Sequence, residues 1–202
     1  MQPAAAAEGV IAPGFCDEVH GAQRCFRRVL DAMAHPGRIC DVRGELAAPP
    51  PSPLVEAAAA VLLTLCDVET PLFLQQAAMT AAAYLRFHCG APFAASPGDA
   101  QFALFSDPPS LPPLTGFALG SDEYPERATT LILQVSSLAE TGGARLRGPG
   151  IRERASLAAG GLPAAFWEQR RGLQELFPRG LDILFTCGSR LAALPRSTIV
   201  EG

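Results

Sequence analysis

The residues of this chain that could do chemistry are arginines, three histidines, six cysteines and a few close carboxylates, gathered in short stretches. "LRFHCGAP" (85–92) brings Arg86, His88 and Cys89 together. A thiol and an imidazole can act as nucleophile and base. Residues one apart do not face each other on a helix, however, and no Asp or Asn stands nearby to orient the ring. The expectation for Arg86 and His88 is therefore contact with an anion or a partner. "CFRRVLDAMAHPGRI" (25–39) sets Arg27 and Arg28 on a helix that His35-Pro36-Gly37 ends. A helix C-terminus favours guanidinium groups through its dipole without any ligand, and His35 reads as a cap with no acid or base partner. Asp67 and Glu69 in "LCDVETP" (65–71) could divide acid and base roles, but they read more simply as caps of a turn. "ARLRGPGIRER" (144–154) holds four arginines and one glutamate, a group suited to an anion or an acidic surface. Its glycines let the backbone come close to a ligand or a neighbouring chain. No residue is assigned a catalytic role.

Composition narrows the chemistry further. All 16 basic residues are arginine, so these 202 residues contain no lysine. A Schiff base needs an amine that can lose its proton, which guanidinium does not do at physiological pH. The G-x-x-x-x-G-K-[ST] phosphate loop is excluded by the same fact, and no cofactor is expected. The cysteines at 16, 25, 40, 66, 89 and 187 never form C-x-x-C and read as small buried apolar groups. His20, His35 and His88 show no zinc-ligand spacing, so no metal site is expected. A formal charge of −4 argues against nucleic acid as a partner. The longest apolar run, "AAAAVLLTLC" (57–66), is too short to span a bilayer. No basic segment precedes an apolar one at the N-terminus, and a cytoplasmic location is expected.

The elements that must position these groups follow from periodicity. Residues 1–14 are rich in Ala, Pro and Gly and are expected to be flexible, with 15–202 forming a single α/β domain. Asp17 is placed to cap a helix over 17–34 whose apolar side is Val19, Ala22, Phe26, Val29, Leu30 and Met33. Strands are predicted over 38–43, 69–75, 99–105, 128–138, 144–148, 181–188 and 190–196. The strand at 128–138 is the strongest and is placed centrally, and the last two form a hairpin through Gly188-Ser189. The Gly142-Gly143 pair suggests a second hairpin turn. Further helices are predicted over 53–67, 77–90 ending at Gly90, and 162–178, while 106–127, with its many prolines, is expected to wrap the surface. This alternation argues for a mixed central sheet flanked by helices.

Taken in order, "FRRVLDAMAHPG" (26–37), "VLLTLCDVETPLF" (61–73), "LRFHCGAP" (85–92), "YPERATTLILQVSSL" (124–138), "LRGPGI" (146–151) and "FPRGLDILFTCGSRLAALPRST" (177–198) resemble one family over nearly the whole chain. It is the H subunit of the bacterial carbon–phosphorus lyase core complex. Cys89 and Ser197 stand where that family more usually has threonine, which counts against a catalytic Cys89. The resemblance implies a fold similar to pyridoxal-phosphate-dependent transferases but without the cofactor site, and a homodimer. It also implies work beside the G, I, J and L subunits. There a phosphonate displaces adenine from ATP to give ribose 1-methylphosphonate 5-triphosphate, and the carbon–phosphorus bond is later cleaved. The H subunit is expected to assist rather than catalyse, docking through arginines such as Arg145 and Arg147 and touching ATP or phosphonate only within the complex. The alternative is an autonomous binding protein or transferase for a nucleoside triphosphate or phosphonate, its site built from Arg86, His88, Arg147 and Arg196.

Overall fold

The strongest apolar run of the sequence forms the middle of the molecule. In the computed structural model, which describes residues 11–201, Thr130–Gln134 is a strand with Leu131, Ile132 and Leu133 fully buried. Burial on both faces is what a continuous run of apolar, mostly branched residues satisfies. Numbered along the chain, the strands are β1 (Ile39–Asp41), β2 (Leu72–Leu74), β3 (Phe102–Phe105), β4 (Thr130–Gln134) and β5 (Leu138–Arg147). They continue with β6 (Ala155–Ala159), β7 (Asp182–Cys187), β8 (Arg190–Leu194) and β9 (Ile199–Glu201). The helices are α1 (Glu18–Ala34), α2 (Glu56–Leu65), α3 (Ala82–Cys89) and α4 (Phe166–Gly172).

Six strands form a mixed sheet in the order β1-β8-β7-β4-β3-β2. β2, β3, β4 and β7 run parallel, while β8 turns back on β7 and β1 lies antiparallel to β8. The alternation of side chains divides the core in two. Leu104, Ile132 and Leu184 pack under α1, α2 and α3, whereas Leu131, Leu133, Ile183 and Phe185 pack against the opposite layer. That layer holds α4 and a second, three-stranded sheet ordered β6-β5-β9. The sequence reading foresaw a mixed sheet with helices but not this second sheet. The strand β9 is three residues long and β6 is rich in alanine, so neither has a strong local signal.

Several boundaries fall as predicted. Asp17 accepts a hydrogen bond from the His20 backbone N–H at 2.9 Å at the start of α1, Gly90 ends α3 in the left-handed region, and β7 and β8 form the expected hairpin. Other readings need correction. The Gly142-Gly143 pair lies inside β5, at an irregularity of its pairing with β6, and the hairpin turn comes later, over 148–154. The helix predicted over 162–178 is short and passes into a 3-10 turn at Leu173–Leu176. The segment 106–127 carries three 3-10 turns and sends Leu114 and Phe117 into the core. Of the N-terminal residues expected to be flexible, 1–10 lie outside those described. From Ile11 onward the carbonyls of Ala12 and Gly14 accept bonds from His88 and Ala47.

The largest correction concerns α1. Its inward residues are Gly21, Cys25, Val29 and Ala32, whereas Val19, Phe26 and Leu30 of the predicted apolar side are 74%, 44% and 50% exposed. A stripe of small residues lets the helix backbone lie close to its neighbours: a Cβ at Gly21 would meet the Phe15 ring at 3.0 Å. Of the predicted side, Val29 is buried and Met33 packs against the core, while Val19, Phe26 and Leu30 are left facing outward.

Candidate functional site

Two stretches more than a hundred residues apart, "HPGR" (35–38) and "GPGIRER" (148–154), meet beside the end of α1. Gly150 has φ +80°, and a Cβ there would overlap the Ala34 carbonyl oxygen, so backbone rests on backbone. The result is a cleft of about 310 Å³ whose polar lining includes His35, Arg38, Glu140, Arg152, Arg154 and Ser156.

Asp31, one turn back on α1, holds two of the lining residues, His35 and Arg38. The Arg38 guanidinium donates to both Asp31 carboxylate oxygens, at 2.9 and 3.2 Å, and the Cys40 thiol donates to Oδ2 at 3.4 Å. His35 Nδ1 lies 3.0 Å from Asp31 Oδ1 and 3.0 Å from the Asp31 carbonyl oxygen. His35 thus caps the helix as predicted, but it has an acid partner that the sequence reading missed. The i, i+4 spacing of Asp31 and His35 is a signal that could have found it. Burial by itself would raise the Asp31 carboxyl; the hydrogen bonds from Arg38 and Cys40 and the charges of Arg38 and His35 outweigh it and hold the group below its usual range. A carboxyl depressed in the fold contributes stability that is present above its unfolded value of about 3.9 and lost as pH falls through the folded value. Asp31→Asn is therefore expected to flatten the fall in the urea midpoint on acidification below about pH 5. Equal slopes for variant and parent would show that Asp31 carries none of it.

Beside the cleft lies the outward face of the second sheet. Register puts Arg145 opposite Ser156 on β6 and opposite Glu201 on β9, while Leu146, Ala155 and Val200 share the inward side. Arg147 Nε and Arg154 Nε each stand 3.6 Å from a Glu201 carboxylate oxygen, and Arg145 Nε stands 3.9 Å away. Arg154 and Ser156 belong to both the cleft and this face.

The five residues singled out from sequence do not form one site. Arg145 and Arg147 share the β5 face. Arg86 lies over the Phe93 ring at 5.0 Å. His88 packs against Tyr84 and Phe87, and its Nε2 bonds the Ala12 carbonyl at 2.9 Å, so that nitrogen is not offered to a thiol. Arg196 clasps Asp182 through Nε and Nη2 at 3.1 and 2.6 Å and bonds the Pro125 carbonyl. Four of the six thiols are poorly activated: burial pushes Cys25 and Cys40 up to about 11 and also raises Cys66 and Cys89. Asp67 accepts the Glu69 N–H within a turn, the capping role preferred from sequence. Sequence reasoning missed Arg38 and Glu201, because no local spacing ties Arg38 to the 148–154 turn or Glu201 to Arg145, Arg147 and Arg154.

The family model described as bacterial phosphonate metabolism protein (PhnH) matches residues 13–201. The alpha-D-ribose 1-methylphosphonate 5-triphosphate synthase subunit PhnH of Rhizobium meliloti (strain 1021) is 41% identical over 191 residues, covering 93% of this chain and 94% of its own. A protein of Stutzerimonas stutzeri named "Putative C-P lyase subunit protein HtxG" is 31% identical over 183 residues, covering 89% and 85%.

Proposed function

We propose that this chain, which belongs to the PhnH family of bacterial phosphonate metabolism proteins, works as a subunit of an alpha-D-ribose 1-methylphosphonate 5-triphosphate synthase in the carbon–phosphorus lyase pathway. The near full-length likeness to a subunit of that name carries the reading. In this reading the chain assists and does not catalyse. The raised thiols of Cys25, Cys40, Cys66 and Cys89, the carbonyl-bound His88 and the Asp182-bound Arg196 supply no activated nucleophile–base pair. Its fold is that of a pyridoxal-phosphate-dependent transferase stripped of its cofactor site, in keeping with the absence of lysine. It acts in the cytoplasm, beside the G, I, J and L subunits, as a homodimer. No helix among the described residues is long and apolar enough to cross a membrane.

The outward ridge of α1 is the surface through which we propose that two copies pair. Val19, Phe26 and Leu30 project from it, and Phe87, 67% exposed, stands across a small cleft from Glu18 and Ala22. An apolar face of this kind on a helix marks an interaction site, and a two-fold axis lets one such ridge cover its own copy. Phe26→Glu and Leu30→Glu, made together, are expected to weaken pairing by at least about 100-fold with unchanged circular dichroism. Sedimentation would then report a monomer where the parent reports a dimer; a dimeric variant or a monomeric parent removes this surface from the reading. The subunit role is tested by reconstituting ribosyl-phosphonate formation from the companion subunits with and without this chain, while the mass of the assembly is followed. Loss of product without it is expected, and full product formation in its absence would end the proposal.

A further inference from the structure

We infer that the outward face of the β6-β5-β9 sheet, with the cleft beside it, binds a multiply charged phosphoryl or phosphonyl anion, and that Glu201 is a resident carboxylate which this anion displaces. The observation is one of charge and geometry. Strand alternation places Arg145, Arg147, Ser156 and Glu201 on one side of the sheet, and Arg154 reaches the same carboxylate. Three guanidinium groups thus address one carboxylate. For Arg147 and Arg154 the 3.6 Å separations exceed the roughly 2.7–2.9 Å of a direct charge-assisted N–H···O bond. Glu201 occupies the position without satisfying it: neither the Arg147 nor the Arg154 guanidinium meets it at direct hydrogen-bond distance.

The cleft holds Glu140, whose carboxylate accepts the Ile39 N–H, beside its arginines. Arg152 makes no ion pair or hydrogen bond among the described residues, and Ser156 offers a hydroxyl in the same row as Arg145. This concentration stands in a chain whose net charge is −4. A planar guanidinium fork matches the oxygens of a tetrahedral oxyanion, and a dianion neutralises what a single carboxylate leaves over. Size favours a small ligand carrying more than one phosphoryl group, since about 310 Å³ lies at the lower end of the volumes that hold small molecules. Chemistry favours it too. The polar row holds no aromatic residue, and aromatic anchors are what protein interfaces concentrate at their centres. The site stands apart from the subunit reading, since it belongs to the isolated chain.

The test is calorimetry on the full chain at low salt, with tripolyphosphate, orthophosphate and methylphosphonate as probes. Saturable binding is expected, tightest for tripolyphosphate. It should weaken about tenfold in Arg147→Ala and in Arg154→Ala, and tighten about tenfold in Glu201→Gln, because each change alters one charge at the site. Unfolding midpoints near the parent's would confirm that the variants are folded. The tightening in Glu201→Gln is the distinguishing sign, since a carboxylate that merely held the sheet together would leave binding unchanged or poorer when neutralised. Three results overturn the inference: no saturable heat with any probe, equal affinities in parent and all three variants, or a polyglutamate peptide outcompeting tripolyphosphate. The last would assign the face to an acidic protein surface.

Discussion

Replacing Arg170 by methionine is expected to lower the stability of the fold by about 3–5 kcal/mol. Arg170 projects from α4 and is 1% exposed. Its Nη2 donates to the carbonyl oxygens of Pro195, Thr198 and Arg196 at 2.8, 3.0 and 3.3 Å, tying α4 to the segment between β8 and β9. Burial pushes the guanidinium down to about 10, with the charge of Asp182 opposing, so it stays charged at neutral pH. A buried ion pair can often be exchanged for apolar groups with little loss, because both partners leave together. That escape is closed here: the partners are backbone carbonyls, and no substitution removes them. Methionine fills much of the space and leaves three acceptors without their donor. Lysine restores the charge but not the fork, and should recover only part of the loss. Urea unfolding measures both variants, and a change below about 1 kcal/mol in Arg170→Met would show that other groups satisfy these carbonyls.

Gly150→Ala is the second large effect, expected at about 3 kcal/mol or more, against about 1 kcal/mol for Gly44→Ala. The two glycines share nearly the same backbone, φ +80° and +78°, so both substitutions carry the same left-handed strain. They differ in surroundings. A Cβ at Gly44 meets nothing within 4 Å, whereas one at Gly150 overlaps the Ala34 carbonyl oxygen. Backbone cannot rotate away as a side chain can, so either the end of α1 or the 148–154 turn must move. Because that turn carries Arg152 and leads into Arg154, tripolyphosphate binding should weaken as well in Gly150→Ala and remain unchanged in Gly44→Ala. Equal losses of stability in the two variants would remove the close approach from the account.

How much of this could be read from the chain alone differs between elements and sites. The period and ends of α1 were legible because they depend on neighbours: Asp17 bonds the N–H of His20, and the backbone N–H of His35 bonds the Asp31 carbonyl. The inward face was not. Two stripes of apolar residues lie side by side on that helix, and periodicity ranks the bulkier one first. The fold instead buries the stripe with Gly21 and Ala32, because the neighbouring elements come close enough to need small residues. β4 was legible as a central strand because burial on both faces demands an unbroken apolar run. β9 was not, since three residues gain their strand character only by pairing with Arg145, Leu146 and Arg147 of β5.

The candidate site divides along the same line. A repertoire without lysine, in which arginine is the sole cationic side chain ionised at every physiological pH, is settled by composition before any folding. So is the alternation that sends Arg145 and Arg147 to one side of a strand. Which carboxylate those arginines meet, and that Arg154 and the turn after α1 join them, rests on the register of β5 with β9 and on the contact of Gly150 with Ala34. Hydrogen bonds within a few residues of each other leave a mark on local pattern, because the same few side chains make them. Meetings across a hundred residues leave none, because they are set by how separately formed layers pack.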